Sequence, residues 1–264
     1  MIENKKEFKL ISKRNPKSLL PNALTIFGVC LGLSSIKFAL DLNYTMAIIA
    51  IAFAAILDTL DGRVARLIKG TSKVGKELDS LTDVISFGVA PSFVMYFWSI
   101  NEIGKFGWMC VLIYTVCCAL RLARFNLTTI DENETWKINF FEGVPSPAAA
   151  GIVLLPLILS LSELIKFENQ AIISIIVLLF TSVLMVSNIP TYSLKRILIP
   201  RNLTIFVLLG IGIYLSLVIF YTFQTLFLTG VVYILLIPIS YYHYKSKSKK
   251  TINLIDEDET EDIL

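Results

Sequence analysis

The sequence predicts an all-α polytopic membrane protein with about eight transmembrane helices. Three observations predict it. Hydrophobic residues make up 55% of the 264, and charged residues only 17%; an average soluble domain has about 25% charged. Mean hydropathy is +0.70. Apolar runs long enough to cross a hydrocarbon core of ~30 Å, which takes about 20 helical residues, recur along the chain. These figures exclude a disordered protein, a disulfide scaffold and an ordinary soluble enzyme. The net charge of only +3 gives no support to a nucleic-acid partner.

Taken in order, the polar, basic start at 1–18 reads either as an interfacial helix on anionic lipid or as a solvated topogenic stretch. No cleavable signal peptide is expected there, because no short apolar region precedes a small-residue cleavage site. The apolar runs fall near 21–40, 44–67, 80–99, 106–124, 145–165, 170–189, 203–220 and 224–242. The second ends in charges: Asp58, Asp61, Arg63 and Arg66. The third begins with Asp79 and Asp83. After the last run, 245–264 is basic and then acidic, which predicts a disordered tail.

An even number of spans puts both termini on one side, and Lys and Arg choose the side. Of the 24 basic residues, all but Lys37, Lys105 and Lys166 fall on the face that holds the termini. That face is therefore expected to be cytoplasmic. Cys30, Cys110, Cys117 and Cys118 lie in apolar runs without a C-x-x-C pair and read as packing residues. The one histidine, His243, leaves no basis for a histidine triad or a multi-histidine metal site.

The chemistry-bearing segment runs from Asp58 to Asp83. Asp58 and Asp61 are three apart and share a helix face; Asp79 and Asp83, four apart, do the same. A turn through Gly70, Thr71, Ser72 and Gly75 would let the two helices run antiparallel, so that four carboxylates converge. Clustered anions need a counter-charge, since an unpaired buried ion costs several kcal/mol. Hard divalent cations such as Mg²⁺ or Mn²⁺ prefer oxygen ligands and commonly bridge carboxylates to phosphates. Two of them would suit a diphosphate substrate. Gly62 and Gly75 would let a nucleotide approach the backbone, Ala65 keeps packing close, and Arg66 could hold a carboxylate or a phosphate. The bland alternative, aspartates paired with Arg63 and Arg66, does not account for the whole spacing. Intramembrane acids are functional by default.

The pattern D-x-x-D-G-x-x-A-R-x8-G-x3-D-x3-D over Asp58–Asp83 resembles the signature of the CDP-alcohol phosphatidyltransferase family, with every motif position filled. The resemblance implies a binuclear divalent-metal site on a six-helix core, usually in a homodimer. Carried over, Asp58, Asp61, Asp79 and Asp83 would hold metal, with Asp83 also the general base. Gly62, Ala65, Arg66 and Gly75 would lie along the CDP site. The chain then divides into a basic segment 1–20, a six-helix catalytic core 21–189, two further helices 190–244 and the tail 245–264.

The acceptor alcohol is addressed by Arg121-Leu122-Ala123-Arg124-Phe125-Asn126, by Phe141-Glu142-Gly143-Val144-Pro145-Ser146-Pro147-Ala148-Ala149, and by two spans beyond the core. These resemble the branch of the family whose acceptor is L-serine and whose donor is CDP-diacylglycerol. Arg121 and Arg124 share a helix face and could bind a serine carboxylate bidentately; they also read as anchors at the lipid phosphates. Asn126 would position serine or cap a helix. Glu142 pairs with the serine ammonium or is a solvated loop acid. Pro145 and Pro147 set the start of the fifth span. Ser146 is not expected to be a nucleophile, having no His or Lys base nearby in sequence. Lys195, Arg196 and Arg201 attract the diphosphate or are topogenic. The start of the first span, Pro21-Asn22-Ala23-Leu24-Thr25, also resembles the family. A sibling enzyme using glycerol 3-phosphate or inositol phosphate is the nearest alternative; a cation transporter is a remote one, which would want its acids near mid-membrane.

Overall fold

A computed structural model describes residues 19–127, 140–163, 168–192 and 203–261. The basic segment 1–18 and the Lys195–Arg201 cluster lie outside the described residues. Helices dominate: α1 Leu19–Leu40, α2 Tyr44–Leu67, α3 Lys73–Asp83, α4 Ala90–Trp98, α5 Lys105–Leu127, α6 Ser146–Leu161, α7 Gln170–Val186, α8 Thr204–Phe220 and α9 Thr222–Glu261. A wide π-helical turn, Val84–Val89, joins α3 to α4 into one continuous element. Each expected apolar run coincides with a helix over most of its described residues. Five helices have the length and composition of a full span, namely α1, α2, the element Val74–Trp98, α5 and Thr222–Lys245 of α9. The shorter apolar helices α6, α7 and α8 have 16, 17 and 17 residues. The chain is an integral membrane protein by this measure.

Three features depart from the sequence reading. The third span starts at Lys73, not near 80. Its first turns are amphipathic rather than apolar, so a hydropathy window misses them. Asp79 and Asp83 therefore sit well inside the helix, and Gly75 belongs to its first turn instead of a loop. Second, Phe140–Glu142 and Pro190–Tyr192 pair as a short antiparallel ribbon, β1 and β2, with Phe141 opposite Thr191. Third, α9 continues to Glu261 through the stretch expected to be disordered.

Local chemistry fixes the turn between α2 and α3. Lys69 takes a left-handed conformation (φ 51°). The Gly70 N–H then bonds the Ala65 carbonyl at 2.9 Å and the Lys69 N–H that of Arg66 at 3.2 Å. This is a Schellman cap, which satisfies the orphan carbonyls of the helix end. Ser72 starts α3 as N-cap, its hydroxyl accepting from the Gly75 N–H at 2.9 Å. Five residues thus reverse the chain and set Asp58 and Asp61 beside Asp79.

Packing brings α1 against α2 and against the α3–α4 element. Gly28 and Gly32 make this possible. A Cβ on Gly28 would lie 3.3 Å from Thr82, and one on Gly32 only 2.6 Å from Ser86 Oγ. Small residues one turn apart are the usual means by which membrane helices approach closely. The Ser86 hydroxyl donates back to the Gly28 carbonyl at 3.2 Å. Pro91 explains part of the π turn. It has no N–H for the Phe87 carbonyl four residues back, and the buried Tyr114 hydroxyl of α5 donates to that carbonyl instead, at 2.9 Å. All four cysteines are free, and Cys110 and Cys118 are buried packing residues. By contrast, α8 buries none of its residues and packs on α9.

The end of α7 is closed by the segment before α6. The Gly143 N–H donates to the Ile189 carbonyl at 3.0 Å, and the Val144 N–H to Leu184 at 3.3 Å. Gly143 has φ 72°, and a Cβ there would lie 2.7 Å from the Met185 carbonyl oxygen and 2.9 Å from that of Ser187. Gly143→Ala is expected to lower stability by ~1–3 kcal/mol, because it combines an unfavourable φ with a backbone clash. Thermal unfolding in detergent checks this; an unchanged midpoint would mean the segment moves aside at no cost.

Candidate active site

The α2–α3 reversal builds an acidic cluster at one end of the bundle. Carboxylate oxygens of Asp58, Asp61 and Asp79 all lie within 4.8 Å of one another. Asp61 is only 4% exposed. Its Oδ2 accepts the Thr25 hydroxyl of α1 at 2.6 Å, so the Gly28–Gly32 contact of α1 also positions a partner for the cluster. That hydroxyl also lies 3.0 Å from the Pro21 carbonyl. It has one proton, and the shorter bond to an ionised acceptor is the stronger use of it. Asp83, one turn beyond Asp79, stands outside the tight group of three. It faces Asp58 within hydrogen-bonding reach, and its Oδ2 accepts the Ser146 hydroxyl at 3.2 Å.

The donor set fits a divalent cation. No described Lys or Arg reaches ion-pair distance of any of the four aspartates. Asp83 Oδ1 is buried and has no hydrogen-bond partner among the described residues. Several carboxylates this close, short of counter-charge and all oxygen ligands, match the preference of Mg²⁺ or Mn²⁺.

Beside the cluster opens a cavity of about 530 Å³. Gly62, Ala65, Arg66 and Gly75 all line it, together with Asp61 and Asp79. These are the four positions that the family resemblance implies for the CDP site. A Cβ on Gly62 would meet no protein atom within 4 Å, whereas one on Gly75 would lie 2.8 Å from Asn22 Oδ1. The two glycines thus differ. Gly62 leaves open space at the cavity wall, and Gly75 lets α1 close against α3.

Arg121, Arg124 and Asn126 do not converge on one ligand. Arg121 of α5 is only 7% exposed. Its Nη1 donates to Ser146 Oγ at 3.1 Å, and its guanidinium lies 6.0 Å from the Phe125 ring centroid. Ser146 therefore links Arg121 to Asp83, accepting from one and donating to the other. Arg124 turns to the end of α7, donating to the Val186 and Ser187 carbonyls at 3.1 and 3.3 Å and to Asn188 Oδ1 at 2.8 Å. A cation on helix C-terminal carbonyls is favourable, and it ties α5 to α7. Asn126 donates to Ser80 of α3 at 2.9 Å, so it fastens two helix ends. Glu142 is exposed on β1, and Pro145 and Pro147 start α6.

Two residues of the site have roles that sequence reasoning misses. Thr25 stands out there only as part of a family-like stretch, and Ser146 only as part of another and as a rejected nucleophile. A hydroxyl inside an apolar span is the available signal. Neither residue has its partner near in sequence, so the bonds to Asp61, Asp83 and Arg121 cannot be read from spacing.

Comparison with known proteins agrees with this geometry. A Mycobacterium leprae (strain TN) protein named CDP-diacylglycerol–serine O-phosphatidyltransferase is 35% identical over 228 residues, covering 86% of this chain and 76% of that protein. A Helicobacter pylori (strain ATCC 700392 / 26695) protein of the same name is 42% identical over 206 residues, covering 77% and 83%. A Mycobacterium bovis (strain ATCC BAA-935 / AF2122/97) protein, again so named, is 40% identical over 191 residues, covering 70% of this chain and 64% of its own length. Residues 18–192 match the family model of the CDP-alcohol phosphatidyltransferases. That span holds the acidic cluster, the cavity and Ser146, and ends with β2: the chain belongs to the CDP-alcohol phosphatidyltransferase family.

Proposed function

We propose that the protein is a CDP-diacylglycerol–serine O-phosphatidyltransferase. The observation that carries this reading is the clustering of Asp58, Asp61 and Asp79, of which Asp61 and Asp79 line a cavity shared with Gly62, Ala65, Arg66 and Gly75. Asp83 and Arg121 are joined through Ser146. Relatives of that name at 35–42% identity support the choice of serine.

Asp58, Asp61, Asp79 and Asp83 would hold one or two Mg²⁺ or Mn²⁺ ions. A divalent ion there supplies charge neutralisation for the diphosphate and for the leaving CMP. The chain's own groups do the rest. Gly62 and Ala65 present a smooth wall to the CDP moiety, and Arg66 offers a guanidinium to its phosphates. Asp83 takes the proton of the serine hydroxyl through its free Oδ1. The serine oxygen attacks the phosphorus that bears diacylglycerol, and the phosphorus–oxygen bond to CMP breaks. Phosphatidylserine, CMP and one proton result. Ser146 holds Asp83 through Oδ2, so that Oδ1 stays aimed at the acceptor. Arg121 is buried, positive and next to this base, which suits the serine carboxylate. Arg124 and Asn126 act by fixing the helix ends around it.

The charge distribution supports a cytoplasmic site and cytoplasmic termini in a bacterial-type inner membrane. It also supports contact of the basic start with anionic lipid, and the family supports a homodimer. A family match over residues 18–192 supports a division into a core at 21–189, added helices at 190–244 and a terminal segment.

Purified protein in detergent, given CDP-diacylglycerol, Mn²⁺ or Mg²⁺ and L-serine, is expected to release CMP. A chelator should abolish release, and added metal should restore it. Release with glycerol 3-phosphate or inositol phosphate but not serine would move the assignment to a sibling activity. Asp83→Asn is expected to lower kcat by ~10²–10⁴-fold while leaving CDP-diacylglycerol binding largely intact. Equal loss of donor binding would make Asp83 chiefly a metal ligand.

A further inference from the structure

The cavity beside the acidic cluster has two cations among its described lining residues, Arg66 and Lys76. Arg66 belongs to the pattern that resembles the family. Lys76 falls at a position that the pattern leaves open, the first of the three between Gly75 and Asp79. Neither forms an ion pair with a described acid. Lys76 is exposed, and most exposed lysines are simply solvated. This one differs in where the α2–α3 reversal places it.

The two helices are layered alike, counted from the turn. On α2, which ends at Leu67, Arg66 comes first and Asp61 and Asp58 lie further from the turn. On α3, which starts at Lys73, Lys76 comes first and Asp79 and Asp83 lie further along. At 1.5 Å per residue, Lys76 stands about 4.5 Å from Asp79 and about 10.5 Å from Asp83 along the helix, and Arg66 about 7.5 Å from Asp61. Gly70, Thr71 and Ser72 of the turn line the same cavity as Asp61 and Asp79. The cavity therefore runs from carboxylates, through a pair of cations on facing helices, to the turn.

That order matches the parts of a nucleoside diphosphate ester during transfer. The phosphorus under attack lies at the acid end, near Asp83, the proposed base. The nucleotide attached to it extends past Gly62 and Ala65 toward the turn, so its own phosphate comes to the cation layer. Negative charge develops on that phosphate as the phosphorus–oxygen bond to CMP breaks, and a fixed cation stabilises such charge. We propose that Lys76 binds the phosphate of the leaving CMP from α3, facing Arg66 on α2. This rests on the donor reading above and not on the choice of acceptor.

Lysine binds phosphate as a point charge, so Lys76→Gln removes the contact and Lys76→Arg keeps the charge. The test is calorimetric titration of CMP and of cytidine into purified protein in detergent with Mn²⁺. Lys76→Gln is expected to weaken CMP binding about fivefold to tenfold, less than a buried charged hydrogen bond gives because the position is screened by solvent. Cytidine, which has no phosphate, should stay within about twofold. The KM of CDP-diacylglycerol should rise with the CMP Kd while the serine KM holds, and Lys76→Arg should restore CMP binding. Higher salt should narrow the gap between wild type and Lys76→Gln. Equal weakening of CMP and cytidine would reveal a packing defect and overturn the proposal. Unchanged CMP affinity overturns it too; if Lys76→Gln then loses only the response of activity to added phosphatidylglycerol, the lysine serves lipid head groups. Failure of the donor reading is seen separately, because wild-type protein would bind no CMP and the role of Lys76 would fall with it. A wrong acceptor leaves the CMP titration as predicted.

Discussion

Repulsion among carboxylates held in a small volume is the constraint on which the rest of the structure depends. Asp58, Asp61 and Asp79 offer oxygens within 4.8 Å of one another, with no described cation at ion-pair distance. Such an arrangement opposes folding unless the surrounding chain enforces it and a metal relieves it. The enforcement is traceable. The Schellman cap at Lys69 and the Ser72 N-cap reverse the chain within five residues. Close approach at Gly28 and Gly32 brings Thr25 to Asp61. The continuous α3–α4 element carries Asp79 and Asp83 on one face.

A second layer of bonds organises the acceptor side. Ser146 sits between Asp83 and Arg121, which keeps a buried acid and a buried cation apart by one hydroxyl. A direct ion pair would occupy both groups. With Ser146 between them, Asp83 Oδ1 and Arg121 Nε remain available to a ligand. Arg124, only three residues on, has a different task at the end of α7. Three residues turn the helix axis by about 300°, which leaves chemically alike neighbours pointing ~60° apart. The partner that each meets then decides its work.

Much of the fold was legible in the sequence. Long apolar runs locate spans by composition alone, and the spacing of Asp58, Asp61, Asp79 and Asp83 reports shared helix faces. Gly62, Ala65, Arg66 and Gly75 do line one cavity. What escaped had a physical reason in each case. The early start of α3 hid behind an amphipathic first half. The β1–β2 ribbon pairs segments some fifty residues apart in sequence, each too short to carry a pattern. Thr25 and Ser146 are single hydroxyls in apolar surroundings, and only the tertiary contacts distinguish them from packing residues. The shared face of Arg121 and Arg124 suggested one ligand, but the ends of α6 and α7 draw them apart.

Manganese binding by the metal-free protein tests the central claim most directly. Titration of Mn²⁺ followed by electron paramagnetic resonance, in detergent and with CDP-diacylglycerol present, reads site occupancy without requiring turnover. Saturable binding of one or two ions per chain, lost in Asp61→Asn and Asp79→Asn variants that retain the wild-type circular dichroism, is the expected result. Absence of saturable binding to folded wild-type protein, or binding undiminished in both variants, would contradict the assignment of this cluster as the metal site.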